Sequence, residues 1–289
     1  MDAKGAAQPT EYDAYVGRQE RISDVLDRHR VADLAALLDL DIKTIAPNET
    51  LPPLAHWLYF NPWTRQSELG EDGHPRRGEF MPPVTLPRRM FAGGRVSFHA
   101  NLPLGQPAER LSTIAAIQRK SGASGDLVFV TVRHEIFGAH GLAIEEEQDI
   151  VYRGEIAPGS QESAKAEPQP ASIEAGSVVK QIRVDPVLLF RFSALTSNGH
   201  RIHYDYPYAT GVELYPGLVV HGPLQAIMML ALVQEHFPEP IVRFTFQARR
   251  PLFDTSPFVC VARRTEAGVD ASTRDAIGHV CTKASVTFA

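Results

Sequence analysis

A long apolar segment near the end of the chain most constrains the fold. The segment PGLVVHGPLQAIMMLALVQEHF, residues 216–237, is predicted to contain a buried helix that is too short to cross a membrane. Three runs rich in β-branched and aromatic residues follow it, over 241–253, 258–268 and 279–289. A long apolar helix followed by strands that wrap around it predicts a helix packed against an antiparallel sheet.

A stretch of low hydrophobicity divides the chain near its middle. Residues 154–176, GEIAPGSQESAKAEPQPASIEAG, are rich in Pro, Ser, Ala and Glu. Such a segment buries too little apolar surface to offset the entropy of ordering it. We therefore expect a linker over 154–177, an N-terminal domain over 11–153 and a C-terminal domain over 178–289.

The first half shows the same order of elements as the second. Residues 22–41 have helical spacing of apolar residues, and LPPLAHWLYFNP, residues 51–62, predicts a compact buried helix. The segment KSGASGD predicts a hairpin turn. Strands are predicted over 94–104, 111–122, 125–138 and 142–154.

Composition and charge exclude several classes of protein. The net charge of −5 and the pI near 6.1 argue against a nucleic-acid-binding protein. Two cysteines, Cys260 and Cys281, are too few for a disulfide scaffold or a zinc site, and they suit a reducing cytosol. The N-terminus lacks an apolar signal core, so we expect a cytoplasmic protein without membrane spans.

Four phrases of the sequence carry a resemblance to a known family. They are SALTSNGHRIHYD (193–205), YPGLVVHGPL (215–224), LPPLAHWLYFNP (51–62) and LPRRMFAGGRVSF (86–98). The chain resembles the MaoC-like hydratases and dehydratases, in the branch of yeast-type hydroxyacyl-thioester dehydratases and bacterial mesaconyl-CoA or itaconyl-CoA hydratases. The resemblance implies an α+β double hotdog: two tandem units, each an antiparallel sheet wrapped around a central helix.

The resemblance also implies catalytic positions. His203 matches the family's catalytic histidine, Asp205 its trailing acid, and Asn198 the position of its catalytic aspartate. Asparagine cannot act as a base near neutral pH, so His203 becomes the natural proton acceptor. His200 and Asp205 could assist it, and the sequence leaves the division of labour open.

The pair His221-Gly222 matches the family's helix start. Backbone N–H groups at a helix N-terminus can stabilise the negative charge that develops on a thioester oxygen. Gly222 lets a carbonyl approach closely, and Pro223 suits the first turn of a helix. The competing interpretation is a glycine required only for packing.

The remaining expectations concern cofactor and substrate binding. His200 and His203 lack a third ligand in the sequence, so we expect neither a metal nor any other cofactor. Arg88 and Arg89 could bind the phosphates of coenzyme A, and a dicarboxylyl substrate would need one further cation that the sequence does not identify. The first half is expected to do no chemistry. The predicted substrate-binding residues are His221, Tyr204, Pro223, Arg88, Arg89 and Trp57.

Three functions stay open at this point. The leading one is a hydro-lyase acting on a short acyl-CoA, branched or dicarboxylic, such as mesaconyl-, itaconyl- or 3-methylfumaryl-CoA. A second is a 3-hydroxyacyl dehydratase of fatty acid synthesis, with the acyl group on CoA or on acyl carrier protein. A third is a non-catalytic acyl-CoA-binding protein, for which Asn198 is the best argument. Monomer and homodimer are both compatible with the sequence.

Overall fold

The computed structural model describes residues 11–122, 125–154 and 172–289. Within these ranges the strands form one antiparallel sheet of ten, in the order β1-β3-β4-β5-β2-β7-β10-β9-β8-β6. The strands are β1 Gln19–Val25, β2 Arg88–Phe98, β3 Pro107–Gly122, β4 Gly125–Gly138, β5 Gly141–Arg153, β6 Val178–Ile182, β7 Ile241–Ala248, β8 Phe258–Thr265, β9 Gly268–Arg274 and β10 Val280–Phe288. The α-helices are α1 Arg28–Leu37, α2 Ile42–Ile45, α3 Pro186–Leu195, α4 Tyr206–Gly211 and α5 Gly222–His236.

The two halves of the sheet join where β2 pairs with β7. The register runs from Gly93 opposite Gln247 to Ser97 opposite Arg243. A side chain at position 93 would place its Cβ only 2.5 Å from the carbonyl oxygen of Phe246, so the junction requires glycine there. Because this pairing is continuous, five strands of each half belong to a single sheet.

The predicted apolar helix is α5, and it lies against the sheet of the second half. It contacts β8, β9, β10 and β2. Nine of its fifteen residues are buried, including Leu224, Ile227 and Met229. The helix begins at Gly222, with Pro223 in its first turn, and residues 216–221 approach it in a non-helical conformation. The N-terminus of α5 is therefore well defined.

Two predictions for the first half are wrong. Residues 51–62 form no long helix; they contain only a 3-10 turn, Ala55–Leu58, between two buried residues of positive φ, Leu54 and Phe60. Residues 22–25 belong to β1 and not to a helix, because exposure alternates along β1 and the strand pairs with β3. Helix α1 begins after Asp27, whose carboxylate caps it.

The strand predicted over 94–104 is displaced, because β2 spans Arg88–Phe98 and residues 99–104 lie outside the named strands. The other predicted strands agree with the structure, and two further strands were not predicted. The predicted hairpin is the β3–β4 pair, which reaches Gly122 opposite Gly125. Strands β6 and β9 were not predicted, because both are short, with five and seven residues. None of the described helices combines the length and the apolar character that a membrane span needs.

The predicted division into two domains coincides with a long gap between strands. Strand β5 ends at Arg153 and β6 begins at Val178. Most of the predicted linker, 154–177, lies outside the described residues, so the division stays a prediction.

The β2–β7 junction predicts how the halves behave when they are separated. Fragments 1–165 and 166–289 should copurify when co-expressed and should be insoluble alone, because each exposes a long unpaired edge strand. Co-expression with an affinity tag on one fragment shows whether the other fragment copurifies with it, and separate expression shows whether each fragment is soluble alone. A monomeric fragment that melts cooperatively by itself would contradict the expectation.

Candidate active site

Asn198 and Asp205 shape the turn that carries His203. The Asn198 side-chain oxygen accepts the backbone N–H of His200 at 3.0 Å. Asp205 accepts the N–H of Tyr208 at 3.1 Å, which caps α4, and its carboxylate lies 2.8 Å from the guanidinium of Arg201. Both side chains are engaged with their own loop, and a 3-10 turn at Arg201–His203 lies between them.

His203 is oriented by one short hydrogen bond. Its Nδ1 lies 2.7 Å from the carbonyl oxygen of Val219. A carbonyl only accepts, so Nδ1 carries the proton and the neutral ring keeps its free lone pair on Nε2. Burial lowers the pKa of His203 to about 4, so the ring is neutral near pH 7. His203 is thus prepared to accept a proton through Nε2.

His221 lies directly on His203. The two rings stack with centroids 3.6 Å apart and planes inclined by 18°. Nε2 of His221 lies 2.9 Å from Oγ of Ser193, whereas its Nδ1 is buried and has no hydrogen-bond partner among the described residues. Burial lowers the pKa of His221 well below its usual value, and the neighbouring imidazoles add to the effect. The stack fixes His203 beside the residue that precedes α5.

Gly222 opens α5 without a cap. No side chain caps the helix at His221, and the Gly222 N–H finds no acceptor among the described residues. A Cβ at position 222 would lie 3.7 Å from the ring of Phe91, which is ordinary contact, and the glycine has no positive φ. Neither packing nor backbone conformation requires glycine here. A half-buried helix N-terminus with an uncapped N–H is a suitable oxyanion site.

A loop from the first half closes over the motif. Gly73 and Gly199 meet backbone to backbone, since a Cβ on Gly199 would lie 2.5 Å from the carbonyl oxygen of Gly73. The Arg201 N–H donates to the carbonyl of Asp72 at 2.9 Å. This contact brings the ring of His74 within 4.3 Å of His200. The site therefore contains residues from both halves.

Comparison with known proteins identifies the family. The chain matches the pattern of the hydroxyacyl-thioester dehydratase type 2 family over residues 54–254. The chain belongs to this family. It is 46% identical to a mesaconyl-C(4)-CoA hydratase of Chloroflexus aurantiacus, covering 94% of this chain and 96% of the relative. It is 28% identical to a mitochondrial hydroxyacyl-thioester dehydratase type 2 of Schizosaccharomyces pombe, covering 78% and 82% of the two chains.

Solved structures confirm the predicted fold class. A MaoC-like dehydratase superposes with a TM-score of 0.69 at 14% identity, covering 96% of this chain and all of the other. A protein of Mycobacterium tuberculosis described as a double hotdog superposes with a TM-score of 0.57 at 13% identity, covering 94% and 96%. The α+β double hotdog is therefore the fold of this chain, and the family confirms the predicted hydro-lyase class.

One group of side chains in this dehydratase-family site could bind a metal. Ligand atoms of Asp72, His74 and His200 all lie within 4.8 Å of one another. Asp72 already accepts two hydrogen bonds from His74, one from Nδ1 at 3.1 Å and one from the backbone at 3.0 Å. Two imidazoles and one carboxylate suit a divalent transition metal. The expectation of no metal and no cofactor stays a prediction.

The predicted binding residues are not equivalent in the structure. Arg88 is buried, forms an ion pair with Glu213 at 3.1 Å and donates to the carbonyl of the same residue at 2.7 Å, while its Nη1 is buried without a hydrogen-bond partner among the described residues. The contacts with Glu213 hold Arg88 against the second half. Arg89 is half-buried and has no hydrogen bond or ion pair among the described residues. The hydroxyl of Tyr204 donates a hydrogen bond to the carbonyl of Gly199 at 2.8 Å and stabilises the loop. Pro223 lies in the first turn of α5.

Trp57 lies on a wall beside the start of α5. Its ring packs edge-on against Phe91 and Phe246, with centroids 6.3 and 5.8 Å away. Its Nε1 donates to Glu146 at 2.9 Å, and the other carboxylate oxygen of Glu146 lies 3.0 Å from His56. Burial alone would raise the pKa of Glu146, but the charge of His56 and its hydrogen bond lower it to about 2. A buried polar group thus fixes the aromatic wall.

Sequence reasoning missed Asp72, His74 and Glu146. Asp72 and His74 lie in a polar, glycine-rich loop with no periodic pattern. Glu146 lies in a strand, β5, whose buried face includes Ile144 and Ile150. Its position on the buried face of an alternating strand was the one available signal.

Replacing Gly222 tests the oxyanion site. Gly222→Ala should lower kcat by about 10²–10³-fold, because a methyl group would obstruct the approach of the thioester oxygen to the N–H. The melting temperature should stay close to that of the wild type. Gly211→Ala is the matched control, since a Cβ there meets open space. A kcat within a few-fold of the wild type would contradict the assignment.

The acid limb of the pH profile tests His203. Only the neutral imidazole accepts a proton, and burial holds the pKa of His203 at about 4. We expect kcat/KM to be flat from about pH 8 down to about pH 5 and then to fall as His203 becomes protonated. Circular dichroism at each pH separates this loss from unfolding. If the fall in kcat/KM has its midpoint near pH 6.5, the usual pKa of histidine, the proton acceptor is not the buried His203 described above.

Proposed function

We propose that the protein hydrates the α,β double bond of a short dicarboxylic or branched acyl-CoA, with mesaconyl-C4-CoA as the first candidate substrate. The observation that carries the proposal is the pairing of a tautomer-fixed His203 with the uncapped Gly222 N–H. The relative at 46% identity, a mesaconyl-C(4)-CoA hydratase, supports the choice of substrate.

His203 would carry out both proton transfers of the reaction. Its Nε2 takes a proton from a water molecule as the water oxygen bonds to the β-carbon. The electron pair of the double bond moves toward the thioester oxygen, where the Gly222 N–H and the dipole of α5 stabilise the negative charge. The protonated ring then returns its proton to the α-carbon. The imidazole is regenerated, and atoms and charges balance.

The other motif residues would act by positioning. Asn198 holds the His200 N–H, and Asp205 holds the turn after His203 through Tyr208 and Arg201. No carboxylate is needed as the base in this scheme. The presence of asparagine at position 198 is thus compatible with activity, which disfavours the non-catalytic binding protein.

A dehydratase on 3-hydroxyacyl thioesters is the second candidate. The fission-yeast relative carries that name, at 28% identity. The same groups would run the reaction in reverse, since the proton acceptor and the oxyanion site serve both directions. The acyl carrier, CoA or carrier protein, is part of this choice.

Location and assembly also belong to the proposal. Both thiols, Cys260 and Cys281, are unpaired and buried, which suits a reducing cytoplasm. A double hotdog already contains the pairing of two units, so monomer and homodimer both stay compatible with the proposed activity.

Loss of absorbance of the enoyl thioester tests the function. The wild type should hydrate mesaconyl-C4-CoA, and His203→Ala should lower kcat by roughly 10²–10⁴-fold because the proton acceptor is gone. His236→Ala is the matched control, an exposed histidine at the far end of α5. No turnover of mesaconyl-C4-CoA, with turnover of a 3-hydroxyacyl thioester, would favour the dehydratase instead.

Metal removal tests the proposal that no metal ion takes part in the reaction. Prolonged dialysis against EDTA should leave kcat unchanged, since the scheme uses only His203 and the backbone of Gly222. Loss of activity that Zn²⁺ or Mn²⁺ restores would instead show that Asp72, His74 and His200 hold a required ion.

A further inference from the structure

The two adjacent arginines at the start of β2 have opposite surroundings. Arg88 is buried, paired with Glu213 and stacked over the ring of Tyr215 at 5.4 Å. Arg89 is half-buried, and no carboxylate or carbonyl among the described residues pairs with it. A partly buried guanidinium without a partner has unused capacity for an anion.

Arg89 faces the side of the sheet on which the active site lies. Alternation along β2 places its side chain on the same face as that of Phe91. Phe91 contacts the space beside Gly222, at 3.7 Å from where a Cβ would stand. Arg89 therefore lies two positions along β2 from Phe91, the residue that borders the oxyanion site.

The partner of Arg89 across the sheet carries a second unused donor. Arg89 is opposite Tyr152 in the β2–β5 register, so their side chains are neighbours on one face. Tyr152 is fully buried, and its hydroxyl has no hydrogen-bond partner among the described residues. A buried hydroxyl without a partner is costly, which indicates that a bound group satisfies it.

The charge of Arg89 reaches the histidines of the site. The guanidinium of Arg89 lies close enough to His74 and His200 for its positive charge to act on both rings. His200 lies 5.4 Å from His203, ring centroid to ring centroid. Arg89 thus acts on the surroundings of the proposed base.

The chemistry of the proposed substrate places an anion in this region. In mesaconyl-C4-CoA the free carboxylate is bonded to the β-carbon, the atom that receives the water oxygen. It must therefore lie within a few bond lengths of the reacting atoms, beside His203. The phosphates of CoA, by contrast, are separated from the thioester by the whole pantetheine arm.

We propose that Arg89, with the hydroxyl of Tyr152 as a second donor, binds the free carboxylate of a dicarboxylyl thioester and selects it over monocarboxylyl thioesters. The assignment rests on the proposed function and supplies the cation that a dicarboxylyl substrate needs. It gives Arg89 a specificity role and leaves Arg88 as a residue that holds β2 against the second half.

Three thioesters separate the sources of the anion. Mesaconyl-C4-CoA carries the carboxylate and the phosphates, mesaconyl-C4-pantetheine carries only the carboxylate, and 3-methylcrotonyl-CoA has a methyl group in place of the carboxylate. In Arg89→Met, kcat/KM for both mesaconyl thioesters should fall by about 10²-fold, and that for 3-methylcrotonyl-CoA should not fall. Tyr152→Phe should show the same selectivity with a loss of about 3–10-fold.

Inhibition by saturated analogues gives the same comparison without turnover. The inhibition constant of 2-methylsuccinyl-C4-CoA should rise by about 10²-fold in Arg89→Met, and that of isovaleryl-CoA should not. Arg243→Met is the matched control, because Arg243 is exposed and pairs with Ser97 at the other end of β2.

The outcomes that overturn the assignment differ from one another. If Arg89→Met lowers kcat/KM for both CoA thioesters but not for the pantetheine thioester, Arg89 binds the phosphates of CoA. An equal loss of kcat/KM with all three thioesters would show that Arg89 supports the fold and does not bind the carboxylate. A wild type that turns over neither mesaconyl thioester would overturn the proposed function, and the assignment with it, whereas wild-type activity that Arg89→Met leaves unchanged would overturn the assignment alone.

Discussion

The hydrogen bond from His203 Nδ1 to the carbonyl of Val219 is the contact on which the site depends. It fixes the tautomer, and so it leaves Nε2 as the ring nitrogen with a free lone pair. The bond is reinforced by the neighbouring pair, in which the Val219 N–H donates to the carbonyl of Ile202 at 3.0 Å. Because Val219 lies three residues before Gly222, the same contact ties the base to the helix N-terminus. Two groups from different segments are thereby held in one fixed relation.

The first half of the double hotdog contributes to the site although it has no catalytic motif. Its loop meets the motif through Gly73 and Gly199, and this contact places His74 beside His200. The short 3-10 turn at Ala55–Leu58 replaces a long helix and carries Trp57 to the wall near Gly222. The β2–β7 junction then keeps these groups in register with α5, since it makes the sheet continuous across both halves. The candidate site is thus built from residues of both units.

The sequence predicted much of the fold, and it predicted several residues that the structure brings together in the candidate site, for identifiable physical reasons. Helix α5 could be predicted because its apolar run has the length of a buried helix, and most strands because their runs are rich in β-branched and aromatic residues. Strand β1 was mistaken for helix because its apolar residues run into the helical pattern of α1. The contribution of Asp72 and His74 to the site, and the difference between Arg88 and Arg89, depend on contacts between distant segments. No local pattern carries that information.

The stereochemistry of addition tests the central claim most directly. If one imidazole takes the proton from water and returns it to the α-carbon, oxygen and hydrogen must add to the same face of the double bond. Hydration of mesaconyl-C4-CoA in D2O, with the product analysed by NMR, shows on which face deuterium enters relative to the new hydroxyl group. The account predicts a single product of syn addition. A product of anti addition would require an acid on the opposite face and would contradict the assignment of both proton transfers to His203.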